Sequence, residues 1–151
     1  NGNFTDGTCQ YAIHPSDAGS PQPLTGDNIV SLARQYHFSP YLWGGKSALG
    51  IDCSGLVQVV FSLCGVLLPR NASQQAEIGE KINSLTQAEA GDLAFFANSA
   101  HQIVHVGILM NSHQIIHASG WVKIENIDEH GIISEQTGNY SHTLYSIKRM
   151  I

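Results

Sequence analysis

Cys53 is the residue whose setting is best suited to chemistry. It lies in Gly50-Ile51-Asp52-Cys53-Ser54-Gly55, just ahead of an apolar run from Leu56 to Cys64. That run is apolar on nearly every face, the pattern of a buried helix, and Gly65 supplies a stop. The helix begins at Asp52 or Cys53, so unpaired N–H groups and the positive end of the helix dipole surround the sulfur. Such a setting lowers a thiol pKa from about 8.5 into roughly the 3.5–7.5 range. Gly55 would let a substrate approach the backbone closely, and the Cys53 N–H could meet an oxyanion. Most free cysteines are small buried hydrophobes. Cys64 fits that description: it lies about 16 Å along the same helix, too far to pair with Cys53.

A thiolate needs a base and a group that orients the base. His105 lies in Ile103-Val104-His105-Val106-Gly107-Ile108, and His117 in Ile115-Ile116-His117-Ala118-Ser119. If the connecting turn is centred on Ser112, the two histidines share a sheet face as diagonal neighbours, about 7 Å apart between Cα atoms. A turn half a residue shorter would send them to opposite faces. The sequence leaves this register open, and the plain alternative is two histidines packed in a sheet and bonded to backbone. A zinc set of His101, His105, His113 and His117 matches no compact zinc spacing, with no Cys or acid close by in sequence. No metal or organic cofactor is expected.

The elements around these residues form two groups. Thr25 reads as a helix N-cap with Asp27 in the first turn. Ile29, Leu32, Ala33 and Tyr36 follow on one face, and a short helix is expected over Ser73–Gly79. Beyond it, Asp92–Phe96, Ile103–Met110, Gln114–Ser119, Trp121–Ile124 and Thr143–Met150 read as strands. Helices first and strands afterwards predict an α+β domain with a mostly antiparallel sheet. The chain has 151 residues, enough for one domain. Residues 1–25, rich in Gly, Asn, Thr, Ser and Pro, read as an arm or linker, leaving 26–151 as the domain.

The net charge is −5, with no basic run, which argues against nucleic acid and anionic membrane as partners. No apolar run is long enough to span a membrane. Three cysteines, Cys9, Cys53 and Cys64, cannot all pair within the chain. The chain starts at Asn1 without Met, so an export signal or a preceding domain could have been removed.

Five motifs occur together in order: Tyr41-Leu42-Trp43-Gly44-Gly45, Asp52-Cys53-Ser54-Gly55, Gly91-Asp92-Leu93, His105-Val106-Gly107-Ile108 and Ile116-His117-Ala118. In this order and spacing, residues 26–151 resemble the NlpC-type cell-wall cysteine peptidases. The resemblance implies a papain-like α+β fold, with the nucleophile helix packed on an antiparallel sheet. It also implies Cys53 as nucleophile, His105 as base and then acid, and His117 as the group that orients His105. Tyr41 would serve the oxyanion or the substrate amine. Asp52, Ser54 and Ser73 would hold the first residues of the peptide, with Asp52 pairing to an ammonium. The implied reaction is hydrolysis of a γ-D-glutamyl bond to diaminopimelate or another diamino acid in a peptidoglycan-derived peptide.

A monomer in the bacterial periplasm, or a secreted one, is the expected setting, with cytoplasmic peptide recycling as the variant. In the resembled family, relatives that demand a free N-terminus usually carry SH3-like domains ahead of the catalytic domain; residues 1–25 are too short to be one, so either an N-terminal SH3-like domain is missing from this chain or that end of the cleft is open. Two other readings compete. An amidase or acyltransferase with the same Cys–His pair usually has His before Cys, the reverse of the order here. A non-catalytic wall-binding module would be expected to lose Cys53 or His105.

Overall fold

The computed structural model describes residues 2–5, 10–13 and 19–150. Cys9 and the remainder of the N-terminal arm lie outside the described residues. The described part of the arm begins with a hairpin, β1 (Gly2–Thr5) and β2 (Gln10–Ile13), paired antiparallel. Its last stretch docks on the main body through Gln22 N–H and the Leu63 carbonyl, 2.9 Å apart.

Helix α1 (Gly26–Arg34) starts where Thr25 accepts the Asn28 N–H, and buries Ile29 and Ala33. A small hairpin follows, β3 (Lys46–Ser47) and β4 (Gly50–Ile51). Helix α2 (Cys53–Leu63) is N-capped by Asp52, whose carboxylate accepts the Gly55 N–H at 2.7 Å. It ends in a Schellman motif: Val66 N–H reaches the Phe61 carbonyl and Gly65 N–H the Ser62 carbonyl, with Gly65 at φ +81°. The helix is less uniformly buried than its sequence implies, since Leu63 and Ser62 face solvent. Helix α3 (Ala72–Gln75) is shorter than the expected Ser73–Gly79.

The strands are β5 (Glu80–Ile82), β6 (Leu93–Ala97), β7 (Ile103–Leu109), β8 (Gln114–Ser119), β9 (Trp121–Asp128), β10 (Gly131–Ile133) and β11 (Tyr140–Arg149). Their order is β10-β9-β8-β7-β6-β11-β5, all antiparallel, and β10 also pairs with β11. The sheet therefore closes on itself between β10 and β11, leaving β5 outside the ring. An α+β domain with an antiparallel sheet is what the sequence predicts; β5, β10 and the closure were not legible there.

Closure gives each strand an inner and an outer face. Val106, Ile108, Ile116, Ala118 and Val122 point outward and pack with Leu56, Val57, Val60 and Phe61 of α2 in one core. Phe96, Leu109, Ile115, Ile127, Ile132 and Ile147 form a second core on the inner side. By strand alternation His105 and His117 belong to the inner face. The hairpin β7–β8 pairs Ile108 with Ile116 and Leu109 with Ile115, the register of a turn centred on Ser112. A Cβ at Gly107 would lie 2.6 Å from an Ile115 methyl and 2.9 Å from His117 Cβ, so glycine is what lets the strands pack this closely here.

Candidate active site

Strands β7 and β8 are paired with each other only near their turn, at Leu109–Ile115 and Ile108–Ile116, and separate beyond that. The Cys53 sulfur sits at this fork, where the Val106 N–H points at it, together with the N–H groups of Ser54 and Cys53 itself. A strand N–H lies in the plane of its sheet, so a sulfur bonded to it lies between the inner and outer faces. This placement brings a helix on the outer side next to imidazoles on the inner side.

The imidazoles form a chain. His105 Nε2 lies 2.9 Å from His117 Nδ1, and His117 Nε2 lies 2.9 Å from Glu125 Oε2. All three residues are buried. Burial pushes the Glu125 carboxyl up, but the bonds from His117 and the Glu135 N–H outweigh it and hold the group below its ordinary value. Glu125 is therefore a carboxylate and accepts only. Burial depresses both histidines, with neighbouring imidazoles and Lys123 adding to the effect at His105, so both are neutral near pH 7. The tautomers then follow in order. His117 donates Nε2–H to Glu125, its bare Nδ1 accepts Nε2–H from His105, and His105 is left with a bare Nδ1 able to take a proton.

Two further groups hold the His105 ring. His142 stacks on it with ring centroids 4.1 Å apart, and Phe96 lies 5.7 Å away on a tilted plane. Glu125 and His142 were missed in the sequence. Glu125 had a signal: a tight β8–β9 turn at Gly120 pairs His117 with Lys123 and Ile115 with Glu125, placing Glu125 diagonally beside His117. His142 had none, because β11 reaches it from across the ring.

The remaining predicted residues gather around a cleft of about 600 Å³ lined by Tyr41, Asp52, Cys53, Ser54, Arg70 and Ser73, among others. A smaller cleft of about 290 Å³, lined by His105 and His142, shares Tyr41 and Val104 with it. Tyr41 is held on both sides: its N–H bonds the Gly120 carbonyl, and it bridges Ile51. Burial raises its hydroxyl pKa, and Cys53 and Asp52 raise it further.

Three expectations need correction. Burial pushes the Cys53 thiol up, with Asp52 adding to it; the N–H bonds oppose this but do not win. Burial thus works against the helix-end donors at Cys53, and it also depresses the His105 imidazole. Gly55 is an internal packing residue and gives no approach to substrate: a Cβ there would sit 2.3 Å from the Gly45 carbonyl oxygen. Asp52 is already occupied. It accepts from Gly44 N–H at 2.7 Å and Gly55 N–H at 2.7 Å, and Arg70 grips both of its oxygens. Burial raises its pKa, but the Arg70 bond and the two N–H bonds hold it below the ordinary value. No open direction remains on it for a substrate ammonium. Arg70 also donates to Ser54 Oγ at 2.9 Å, tying that residue into the same ion pair. Of the four histidines weighed as a zinc set, His101 and His113 are exposed and stand apart from the cluster of His105, His117 and His142. An acid does lie close in space, Glu125.

The NlpC/P60 family profile matches residues 38–141. A γ-D-glutamyl-L-lysine dipeptidyl-peptidase of Bacillus subtilis (strain 168) is 36% identical over 110 residues, covering 70% of this chain and 37% of the relative. A protein named probable endopeptidase NlpC of Escherichia coli (strain K12) is 37% identical over 110 residues, covering 68% and 71%. The crystal structure of the NlpC/p60 domain of peptidoglycan hydrolase SagA superposes with a TM-score of 0.66 at 32% identity, covering 84% of this chain and all of that domain. The chain thus spans well under half the length of the Bacillus relative.

Proposed function

This chain belongs to the NlpC/P60 family of cysteine peptidases, and from that premise we propose that it hydrolyses the γ-D-glutamyl–diamino acid bond of peptidoglycan stem peptides. Two observations support the reading: the Cys53 sulfur accepts the N–H of Val106, the strand neighbour of His105, and His105 heads the buried chain His105–His117–Glu125. In this mechanism the Cys53 thiol gives its proton to His105 Nδ1 as sulfur attacks the γ-carbonyl. Positive charge on His105 is shared through His117 with the Glu125 carboxylate. Tyr41, Cys53 and Ser54 line the larger cleft, and the donors proposed for the oxyanion are the Tyr41 hydroxyl and the N–H groups at the start of α2. His105 then protonates the leaving amine, and water, deprotonated by His105, releases the acyl group from sulfur. The arrangement of thiol helix and imidazole strand is papain-like.

The lining of the larger cleft supports an endopeptidase tolerant of blocked N-termini. Its one acid, Asp52, is committed to Arg70 and to two backbone N–H groups. Ser73, exposed at the start of α3, and Ser54 remain as polar contacts for the peptide. A cell-envelope or secreted location fits this substrate, and no helix among the described residues is long and apolar enough to cross a membrane. The test is to incubate the protein with purified muropeptides bearing free or acetylated N-termini and to weigh the products. Both should be cut after the D-glutamyl residue. Cleavage of free-amine peptides alone would overturn the specificity, and cleavage at another bond would overturn the proposed reaction.

A further inference from the structure

The inner face of the sheet carries more imidazole than the hydrolytic chain needs. One ligand nitrogen from each of His105, His117 and His142 can be chosen so that all three lie within 4.8 Å of one another. Three imidazoles from three different strands at this separation are the donor set of a transition-metal site. Two of the second nitrogens are already held in the way that metal-binding histidines require. His117 gives Nε2 to the buried Glu125 carboxylate, and His142 has Nδ1 2.9 Å from Ser141 Oγ. The smaller cleft, bordered by His105 and His142, gives an ion a path from solvent. Lys123, 3.6 Å from Glu125, is the cation that faces the cluster among the described residues, and it is offset by that carboxylate.

We propose that His105, His117 and His142 form an inhibitory binding site for a zinc-class divalent ion on the catalytic imidazoles. The inference rests on the peptidase reading for its consequence, though not for the binding itself. Glu125 keeps His117 in the tautomer whose Nδ1 lone pair faces the cluster. His105 must shift its proton from Nε2 to Nδ1 to offer Nε2 to the ion. No proton leaves the protein in that shift, but the nitrogen that accepts the thiol proton is now blocked, so the ion and catalysis exclude each other. His142 must tilt out of its stack on His105, where the ring planes now differ by 28°. Its half-buried position leaves room for that movement.

Titration calorimetry with zinc on the Cys53→Ala protein tests this without requiring turnover, so a failure of the peptidase reading leaves the test intact. One equivalent should bind, and cobalt should give the visible absorption of a low-coordinate nitrogen site. The double variant Cys53→Ala/His142→Phe keeps an aromatic ring on His105 but removes the third ligand, and should bind zinc at least about tenfold more weakly. In the protein with Cys53 intact, a chelator should restore hydrolysis lost to zinc. Absence of stoichiometric binding to Cys53→Ala, or equal affinity with phenylalanine at position 142, would overturn the site.

Discussion

Helix α2 carries a cysteine at each end, and the two ends differ in what surrounds the sulfur. Cys53 and Cys64 are both buried, and burial raises both thiols. At the C-terminal end burial is the whole account, and Cys64 is a small apolar side chain under the Schellman turn. At the N-terminal end three N–H groups aim at the sulfur, and a strand carrying His105 supplies one of them. The contrast teaches that burial does not distinguish a reactive cysteine from an inert one. What differs between the two ends is the set of donors aimed at the Cys53 sulfur, one of them from the strand that carries His105.

The comparison can be broken at the base. His105→Ala should lower kcat by about 10²- to 10⁴-fold, measured on muropeptides by product mass. His117→Ala should cost less, and the reverse ranking would exchange their roles. Glu125→Gln removes the charge at the end of the chain but leaves its shape. Because hydrogen bonds to a charged group contribute roughly 1.5–3 kcal/mol, kcat should fall about ten- to a hundredfold with the fold kept. An unchanged rate would mean that Glu125 braces the sheet and nothing more.

Acidification should separate function from stability. The depressed pKa of His105 keeps the base unprotonated below pH 6.5, so kcat/KM should hold its plateau to below that pH before falling. Stability should move differently. In the unfolded chain His105, His117 and His142 titrate near 6.5, while in the fold they titrate lower, His142 at about 4. Below pH 6.5 the unfolded state therefore binds more protons, and stability present above that pH is lost as pH falls. Melting temperatures from pH 7 to pH 4 should show this decline, and a flat profile would place the imidazoles in water. The smallest effect belongs to the other end of the helix: Cys64→Ala should cost about 1 kcal/mol in denaturant unfolding and leave turnover alone.

Much of this site was legible in the sequence because its signals are local. Asp52 marks the start of α2, and the short connection around Ser112 reduced the placing of His105 and His117 to two registers, of which the structure takes the one centred on Ser112. Glu125 was missed despite a local signal in the β8–β9 turn, whereas the other missed residues depend on distant parts of the chain. Arg70 reaches Asp52 from a loop eighteen residues on. His142 arrives on β11 only because the sheet closes, and closure depends on β10, a strand of three residues with little pattern to read. The Cys53 thiol was misjudged because helix-end donors can be read from sequence, whereas the burial that outweighs them comes from packing against β7.

The most direct measurement is turnover of purified muropeptides by Cys53→Ala, with its fold verified by circular dichroism. The account predicts a folded protein that releases no product. Hydrolysis at a rate near that of the unaltered chain would contradict it.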